Sequence, residues 1–279
     1  MKRKVKEFYR YLAARPSCKK LNIFLFECSL HGLGILNYQS ESLSGEKNFI
    51  DNIVPRFFSP KSTPVFFDVG ANIGRYSKSL IKKFPSAKII AFEPNPKIFD
   101  ILKTTFPDNI KCINSALGST EGTIKFYDRY DRGGASTLGS LYKEVIECLH
   151  NAQSVEMEVC VTTLDSFAWN NNIDKINLLK IDTEGHELEV LRGAQKSLSD
   201  SQIDLIQIEF NEMNIVSRVF FHDFKKILSD YKAYRLLPSG VISLDEISPL
   251  KTELFAFQNI VFAHKSFQTD DELRPQKCN

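Results

Sequence analysis

Val65-Phe66-Phe67-Asp68-Val69-Gly70-Ala71-Asn72-Ile73-Gly74 is the stretch on which the fold turns. Val65–Val69 is apolar except for Asp68, and it runs into a turn flanked by Gly70 and Gly74. Ile73, Tyr76, Leu80, Ile81 and Phe84 then recur at helical spacing. A doubly apolar run, a tight turn and an amphipathic helix open a β-α-β unit whose strand is covered on both faces. The alternation continues outward. Lys88–Phe92 predicts a second strand, Pro96–Phe106 a helix, Ile110–Asn114 a third strand and Thr123–Tyr127 a shorter fourth. Asn177–Ile181 and Asp204–Phe210 read as buried strands with helices after them, and Tyr234–Leu237 and Asn259–Ala263 as strands of the tail. Parallel strands joined by right-handed crossovers give an α/β, doubly wound three-layer sandwich.

The flanks are less regular. Residues 1–60 read as an N-terminal helical prelude that packs on the core through Phe49, Ile50, Ile53 and Phe57, and residues 61–279 as the main domain. Within it, 128–157 is too long for a plain connection and carries Gly133-Gly134-Ala135-Ser136-Thr137, which suits a lid. A helix is expected at Ser140–His150, and the sole tryptophan, Trp169, is expected in the core.

Composition excludes several classes. The 279 residues are 43% hydrophobic and 25% charged, the balance of an ordinary globular protein. Basic and acidic side chains number 36 and 34, for a net charge of +2, which predicts no nucleic-acid partner. The six cysteines show no zinc spacing, and no apolar segment follows the basic start as in a secretory signal, so reduced thiols and a cytoplasmic location are expected. The apolar stretch Leu21–Leu36 is broken by Asn22, Glu27 and His31, so no transmembrane span is expected. The first 20 residues hold eight Lys or Arg against Glu7 alone, which fits a solvated start or peripheral attachment to an anionic membrane surface.

In a doubly wound sheet, ligands sit beyond the carboxyl ends of the strands. Here four strands end in acids: Asp68, Glu93, Asp182 with Glu184, and Glu209. The glycine spacing is G-x-x-x-G with Asp68 in front, not the G-x-G-x-x-G of a dinucleotide turn, and an acid there suits a cationic, amino-acid-like ligand. Glu93, at the end of the second strand, can accept both ribose hydroxyls of an adenosine. S-Adenosylmethionine combines that ribose with a positive sulfonium and ammonium.

At this point the chain resembles the FkbM family of S-adenosylmethionine-dependent methyltransferases. The segments that carry the resemblance are F-D-V-G-A-N-I-G-R-Y-S (67–77), A-F-E-P-N (91–95), N-S-A-L-G (114–118), G-G-A-S-T-L (133–138), T-T-L-D-S-F (162–167), L-L-K-I-D-T-E-G-H-E-L-E-V-L-R-G-A (178–194) and I-Q-I-E-F-N-E (206–212). The resemblance implies a class I methyltransferase fold, Rossmann-like, with a mostly parallel seven-stranded sheet. It implies methyl transfer to oxygen on a glycan or a glycosylated small molecule, with 128–157 on the acceptor side. By position, Asp68, Gly70, Ala71, Asn72 and Gly74 would line the methionine half of the cofactor. Glu93 would hold the ribose beside Pro94 and Asn95, and Ser115, Ala116 and Leu117 would lie near adenine. Asp182 and Glu184 would face cofactor and acceptor together.

A sugar hydroxyl is a poor nucleophile and gains from a base or a metal. His186 is the first choice for base because histidine titrates near neutral pH. Asp182 and Glu209 could orient it or act as base themselves, and with Glu184 they could hold Mg²⁺ through oxygen. Lys180 shares the pleat side of Asp182 and could pair with a carboxylate. Two other readings compete: a scaffold of the same fold that has lost its cofactor, and an NAD-dependent oxidoreductase, against which Asp68 and the glycine spacing argue.

Overall fold

A computed structural model describes residues 2–59, 62–106, 110–130, 138–245 and 247–267. The strands are β1 (Val65–Val69), β2 (Lys88–Phe92), β3 (Lys111–Ile113), β4 (Ala116–Leu117), β5 (Gly122–Arg129), β6 (Gly139–Ser140), β7 (Ser154–Thr162), β8 (Ile176–Ile181), β9 (Ile203–Phe210), β10 (Tyr231–Leu237), β11 (Gly240–Ser243) and β12 (Gln258–His264). The main sheet runs β3-β2-β1-β8-β9-β12-β10-β11. β2, β1, β8 and β9 are mutually parallel, whereas β12 is antiparallel to both β9 and β10. This is the class I methyltransferase arrangement. An eighth strand extends the expected seven, because Pro238 and Ser239 turn the chain and lay β11 antiparallel against β10.

The stretch 123–127, expected as a fourth strand of the same sheet, instead lies in β5 of a separate sheet ordered β4-β7-β5-β6. Its burial alternates, with Phe126 and Asp128 inward, whereas β1 and β2 are buried on both faces. Period-two burial belongs to an antiparallel ribbon with one wet face. Its partner β7 begins inside the 128–157 stretch, at Ser154, and runs beyond it to Thr162. Within Ser140–His150 the helical portion is short, residues 143–149. Trp169 is 79% exposed, which corrects its assignment to the core. Phe67, Phe92 and Phe167 fill that region edge to face.

Two helices lead the chain, α1 (Lys2–Ala13) and α2 (Lys19–Gly32), and both are largely exposed. The next segment is different. α3 (Glu46–Asn48) and the turns to Arg56 bury Phe49, Ile50, Ile53 and Val54 against Phe66, Leu80 and Ile89 on one face of the sheet. α4 (Arg75–Lys83) follows β1, and α5 (Pro96–Thr105) follows β2. α5 starts on Asn95, whose side chain accepts from Lys97 N, with Pro96 preset at the first helical position. The strand order reverses between β1 and β8, so the crevice lies beyond their carboxyl ends. The turns at 70–74 and 182–186 occupy that position.

Candidate active site

The turn after β1 is shaped by the turn after β8. Gly70 has φ +80°, and a Cβ there would lie 1.8 Å from the carbonyl oxygen of Asp182, so the two backbones meet where no side chain fits. Gly74, also left-handed at φ +82°, lacks a Cβ for packing: Phe106 and Leu102 would be 2.4 and 2.7 Å from one. Gly74 lines neither cavity described below. Asn72 is left-handed too, and its amide donates to Glu93 Oε2 at 2.9 Å. Glu93 Oε1 accepts from Asn95 N at 2.8 Å. A carboxylate offers about four acceptor positions, so the two amides orient Glu93 and leave capacity for a ligand.

Glu93 sits in a cavity of about 740 Å³, part of it open to solvent. Gly70, Asn72, Pro94, Asn95, Ser115, Ala116, Leu117, Asp182, Glu184 and His186 share its lining with the apolar Phe92, Ile98, Phe126 and Leu141. Burial pushes the Glu93 carboxyl up to about 7, against the pull of the two amides. Ser115 contributes mainly backbone, since its hydroxyl is engaged with the carbonyls of Ala116 and Cys160. Asn95 Nδ2 donates to buried Asp128 Oδ2 at 2.9 Å, which ties β5 to this wall.

The turn after β8 is organised by a residue the sequence reading passed over. Glu187 Oε1 accepts from Thr183 N, Thr183 Oγ1 and Gly185 N, each at 3.0 Å, and Oε2 accepts from Asn214 Nδ2 at 3.2 Å. Its place in T-E-G-H-E, two residues after the glycine, was the available signal. Glu184 is held at φ +53°, with its carboxyl pushed up to about 8 by burial and then by Asp182 and Glu187. His186 is buried, and desolvation lowers its pKa to about 4, so the ring is neutral at physiological pH. Glu184 Oε2 and His186 Nδ1 are buried without a hydrogen-bond partner among the described residues.

A second, wider cavity of about 1510 Å³ adjoins the first and shares Gly70, Asn72 and Asp182 with it. Asp68, Ala71, Tyr76, Lys180 and Glu209 line it, with Glu46 and residues 38–42 from the N-terminal segment. Asp68 and Lys180 are direct partners in the β1–β8 register. Lys180 Nζ lies 3.2 Å from Asp182 Oδ2 and 4.0 Å from Glu46 Oε1. Burial lowers the lysine pKa, but Asp182, Glu46, Glu209 and Asp68 together outweigh it and the net shift is upward. Asp68, bonded to Ser77 Oγ at 2.6 Å, is raised to about 6 by burial. Tyr76 Oη donates to Gln207 Oε1 at 2.6 Å, and Gln207 Nε2 donates to Glu46 Oε1 at 2.9 Å.

Lys180 therefore supplies the positive charge among these carboxylates. No group of three His, Cys, Asp or Glu that could hold a metal ion occurs among the described residues, and Asp182 and Glu209 face the ammonium instead. The expectation of Mg²⁺ at Asp182 and Glu209 is without structural support. The Gly133–Thr137 stretch lies outside the described residues. Its neighbours Gly139 and Leu141 line the first cavity, and Ser140 Oγ donates to the Glu184 carbonyl at 2.9 Å.

The two turns, with Asp68, Glu93, Lys180 and Glu209, lie within residues 68–236, which match the model of the Methyltransferase FkbM domain. The chain belongs to this family. Methyltransferase sdnD of Sordaria araneosa is 32% identical over 160 residues, covering 48% of this chain and 62% of that protein. Hexuronic acid methyltransferase AglP of Haloferax volcanii is 27% identical over 200 residues, covering 70% of this chain and 72% of that protein. The 2-O-methyltransferase NoeI of Sinorhizobium fredii is 23% identical over 190 residues, covering 65% of this chain and 77% of that protein. The FkbM chain described here thus spans less than two thirds of the first of these relatives. The family match begins at residue 68 and leaves out Glu46, Tyr38 and Glu41, which line the second cavity.

Proposed function

We propose that this FkbM chain is an S-adenosylmethionine-dependent O-methyltransferase acting on a hydroxyl of a glycan or glycosylated small molecule. The observation that carries the reading is Glu93: a buried carboxylate, oriented by two backbone amides, in a cavity with apolar walls. That is the surrounding an adenosine asks for, with acceptors for its hydroxyls and flat apolar surface for its base. The partnerless Glu184 Oε2 and His186 Nδ1 support the fit, because a ligand rich in donors would satisfy buried atoms that are costly to leave bare. Bound there, S-adenosylmethionine supplies a methyl group activated by its sulfonium.

The second cavity fits the acceptor. Its carboxylates, amides and tyrosines offer many hydrogen-bond partners for a polyhydroxyl ligand. Asp182 belongs to both linings, so we assign it to orient the acceptor hydroxyl and take its proton, with Glu209 in support. Lys180 Nζ, 3.2 Å from Asp182 Oδ2, holds that carboxyl in place. His186 lines the first cavity and not the second, so we assign it to contact with the cofactor. The names of AglP and NoeI, a hexuronic acid methyltransferase and a 2-O-methyltransferase, support a sugar acceptor.

Calorimetric titration of the purified protein with S-adenosylmethionine, S-adenosylhomocysteine and NAD tests the cofactor. Heat from the first two and none from NAD is expected. Absence of all three would turn the reading to a scaffold of the same fold. Mass spectrometry of sugar acceptors incubated with enzyme and cofactor then reads the methyl transfer.

A further inference from the structure

α1 and α2 form a hairpin that the catalytic body does not cover. Tyr9 Oη donates to Asn22 Oδ1 at 2.5 Å, and Asn22 Nδ2 donates to the Ala13 carbonyl at 2.8 Å, which holds the two helices together. On α2, Leu21, Ile23, Phe24, Leu25 and Phe26 are each between 40% and 60% exposed. Val5, Phe8, Tyr9 and Leu12 make a second exposed apolar stripe along α1. An apolar surface this continuous marks an interaction site rather than chance exposure.

Charge identifies the partner. Residues 1–32 hold eight Lys or Arg against Glu7 and Glu27, leaving 28 basic and 32 acidic side chains for the rest of the chain. The hairpin is therefore cationic and the body anionic. Two hairpins packed face to face would set like charges against each other. An anionic lipid surface takes the apolar residues and the basic ones together. Tyr9 and Tyr11 add side chains suited to the headgroup level. α2 has 14 residues. At 1.5 Å per residue it reaches about 21 Å, short of the ~30 Å hydrocarbon core, so it lies in the interface and does not cross.

The inner end of the hairpin is fixed. Leu30 and Ile35 are buried, Asn37 bonds both the ring and the carbonyl of His31, and Leu36 N donates to the Phe257 carbonyl at 2.8 Å. The chain then runs directly into residues 38–42 on the wall of the second cavity. We propose that the α1–α2 hairpin docks this protein on an anionic membrane surface and sets the second cavity beside the lipid headgroups. The docking stands without the methyltransferase reading. Only the further consequence, an acceptor displayed at a membrane, rests on it.

Flotation of the full chain with phosphatidylcholine vesicles, with and without phosphatidylglycerol, tests the proposal. Binding to the anionic vesicles alone is expected, weakening as salt rises. Phe24→Glu with Phe26→Glu, and separately Lys6→Glu with Arg10→Glu, should each lower vesicle affinity by about tenfold or more. S-Adenosylhomocysteine affinity and the unfolding midpoint should hold, which separates lost docking from lost folding. Two results would overturn the proposal: no binding to either vesicle, or a dimer in solution that Phe24→Glu dissociates, since a second copy would then cover the patch.

Discussion

The two adjoining cavities share Gly70, Asn72 and Asp182 and are otherwise opposites. The first is walled by Phe92, Ile98, Leu117, Phe126 and Leu141 around the carboxyls of Glu93, Glu184 and the shared Asp182, and its groups come mainly from turns that directly follow strands. The second is larger and is lined by acids balanced on one buried lysine, drawn from β1, β8, β9 and a segment more than a hundred residues upstream of Lys180. On the proposed reading the first recognises one fixed chemical group, the cofactor's adenosine. The second holds charges in tension, and that balance can be altered without touching the first. The difference suits an unvarying cofactor beside an acceptor that changes between relatives.

The largest expected effect comes from removing the central cation. Lys180→Met leaves Asp68, Asp182, Glu46 and Glu209 facing one another without compensation. Breaking a buried ion pair on one side costs about 3–5 kcal/mol, so urea denaturation at neutral pH should show a loss of that order. The loss should shrink near pH 6, where Asp68 takes up its proton. A cost below about 1 kcal/mol, the range of a surface pair, would mean that Lys180 does not balance the cavity.

Next in size is Glu93→Gln. The amide keeps an oxygen for one of the two backbone donors but loses the charge that strengthens hydrogen bonds to a ribose. Charge-assisted bonds contribute about 1.5–3 kcal/mol, so cofactor affinity should fall by roughly 10- to 100-fold in calorimetry. Stability should change little compared with Lys180→Met. An unchanged affinity would break the assignment of the first cavity to adenosine.

The pH dependence sharpens the contrast. Glu93 is raised to about 7 and Glu184 to about 8, so the ligand-free fold binds their protons more tightly than the unfolded chain does. Their contribution to stability is complete below the ordinary carboxylate range and is lost as pH climbs through those values. Ligand binding runs the other way. On the proposed reading ribose hydroxyls would donate to the ionised Glu93, so S-adenosylhomocysteine affinity should fall by up to about tenfold per pH unit below 7. In Glu93→Gln the dependence should flatten, and a slope that persists there would belong to another group.

The same contrast decides how much was legible in the sequence. Asp68, Glu93 and the T-E-G-H-E turn lie at strand ends, so doubly apolar runs followed by acids located them without coordinates. Alternation also predicted the core of the main sheet. It places 123–127 as a fourth strand of the same sheet, where β5 in fact belongs to the second one; Trp169, expected in the core, is exposed because size alone says nothing of exposure. Glu46 could not be read at all. It opens α3 after a polar stretch and meets Gln207 and Lys180 only through the tertiary fold. His186 is visible in the sequence as a candidate base, but the burial that lowers its pKa to about 4 is not.

Glu46→Gln makes the finest test, because it touches the second cavity from the N-terminal segment alone. The glutamine keeps an oxygen for Gln207 Nε2, now 2.9 Å from Glu46 Oε1, and Lys180 retains Asp182 at 3.2 Å. Stability should therefore stay close to the parent, in contrast to Lys180→Met. Glu46 is raised above the ordinary glutamate value by burial, which the ammonium of Lys180 opposes. Losing that carboxyl frees Lys180 to lean further on Asp182 and weakens one acceptor for a polyhydroxyl ligand. A change of about 1 kcal/mol in that hydrogen bonding predicts roughly a fivefold rise in acceptor KM, with cofactor affinity unaltered. A shift in cofactor affinity of the same size would show that the cavities act as one. A KM that does not move would take the N-terminal segment out of the acceptor site and leave it as packing for Phe66 and Leu80.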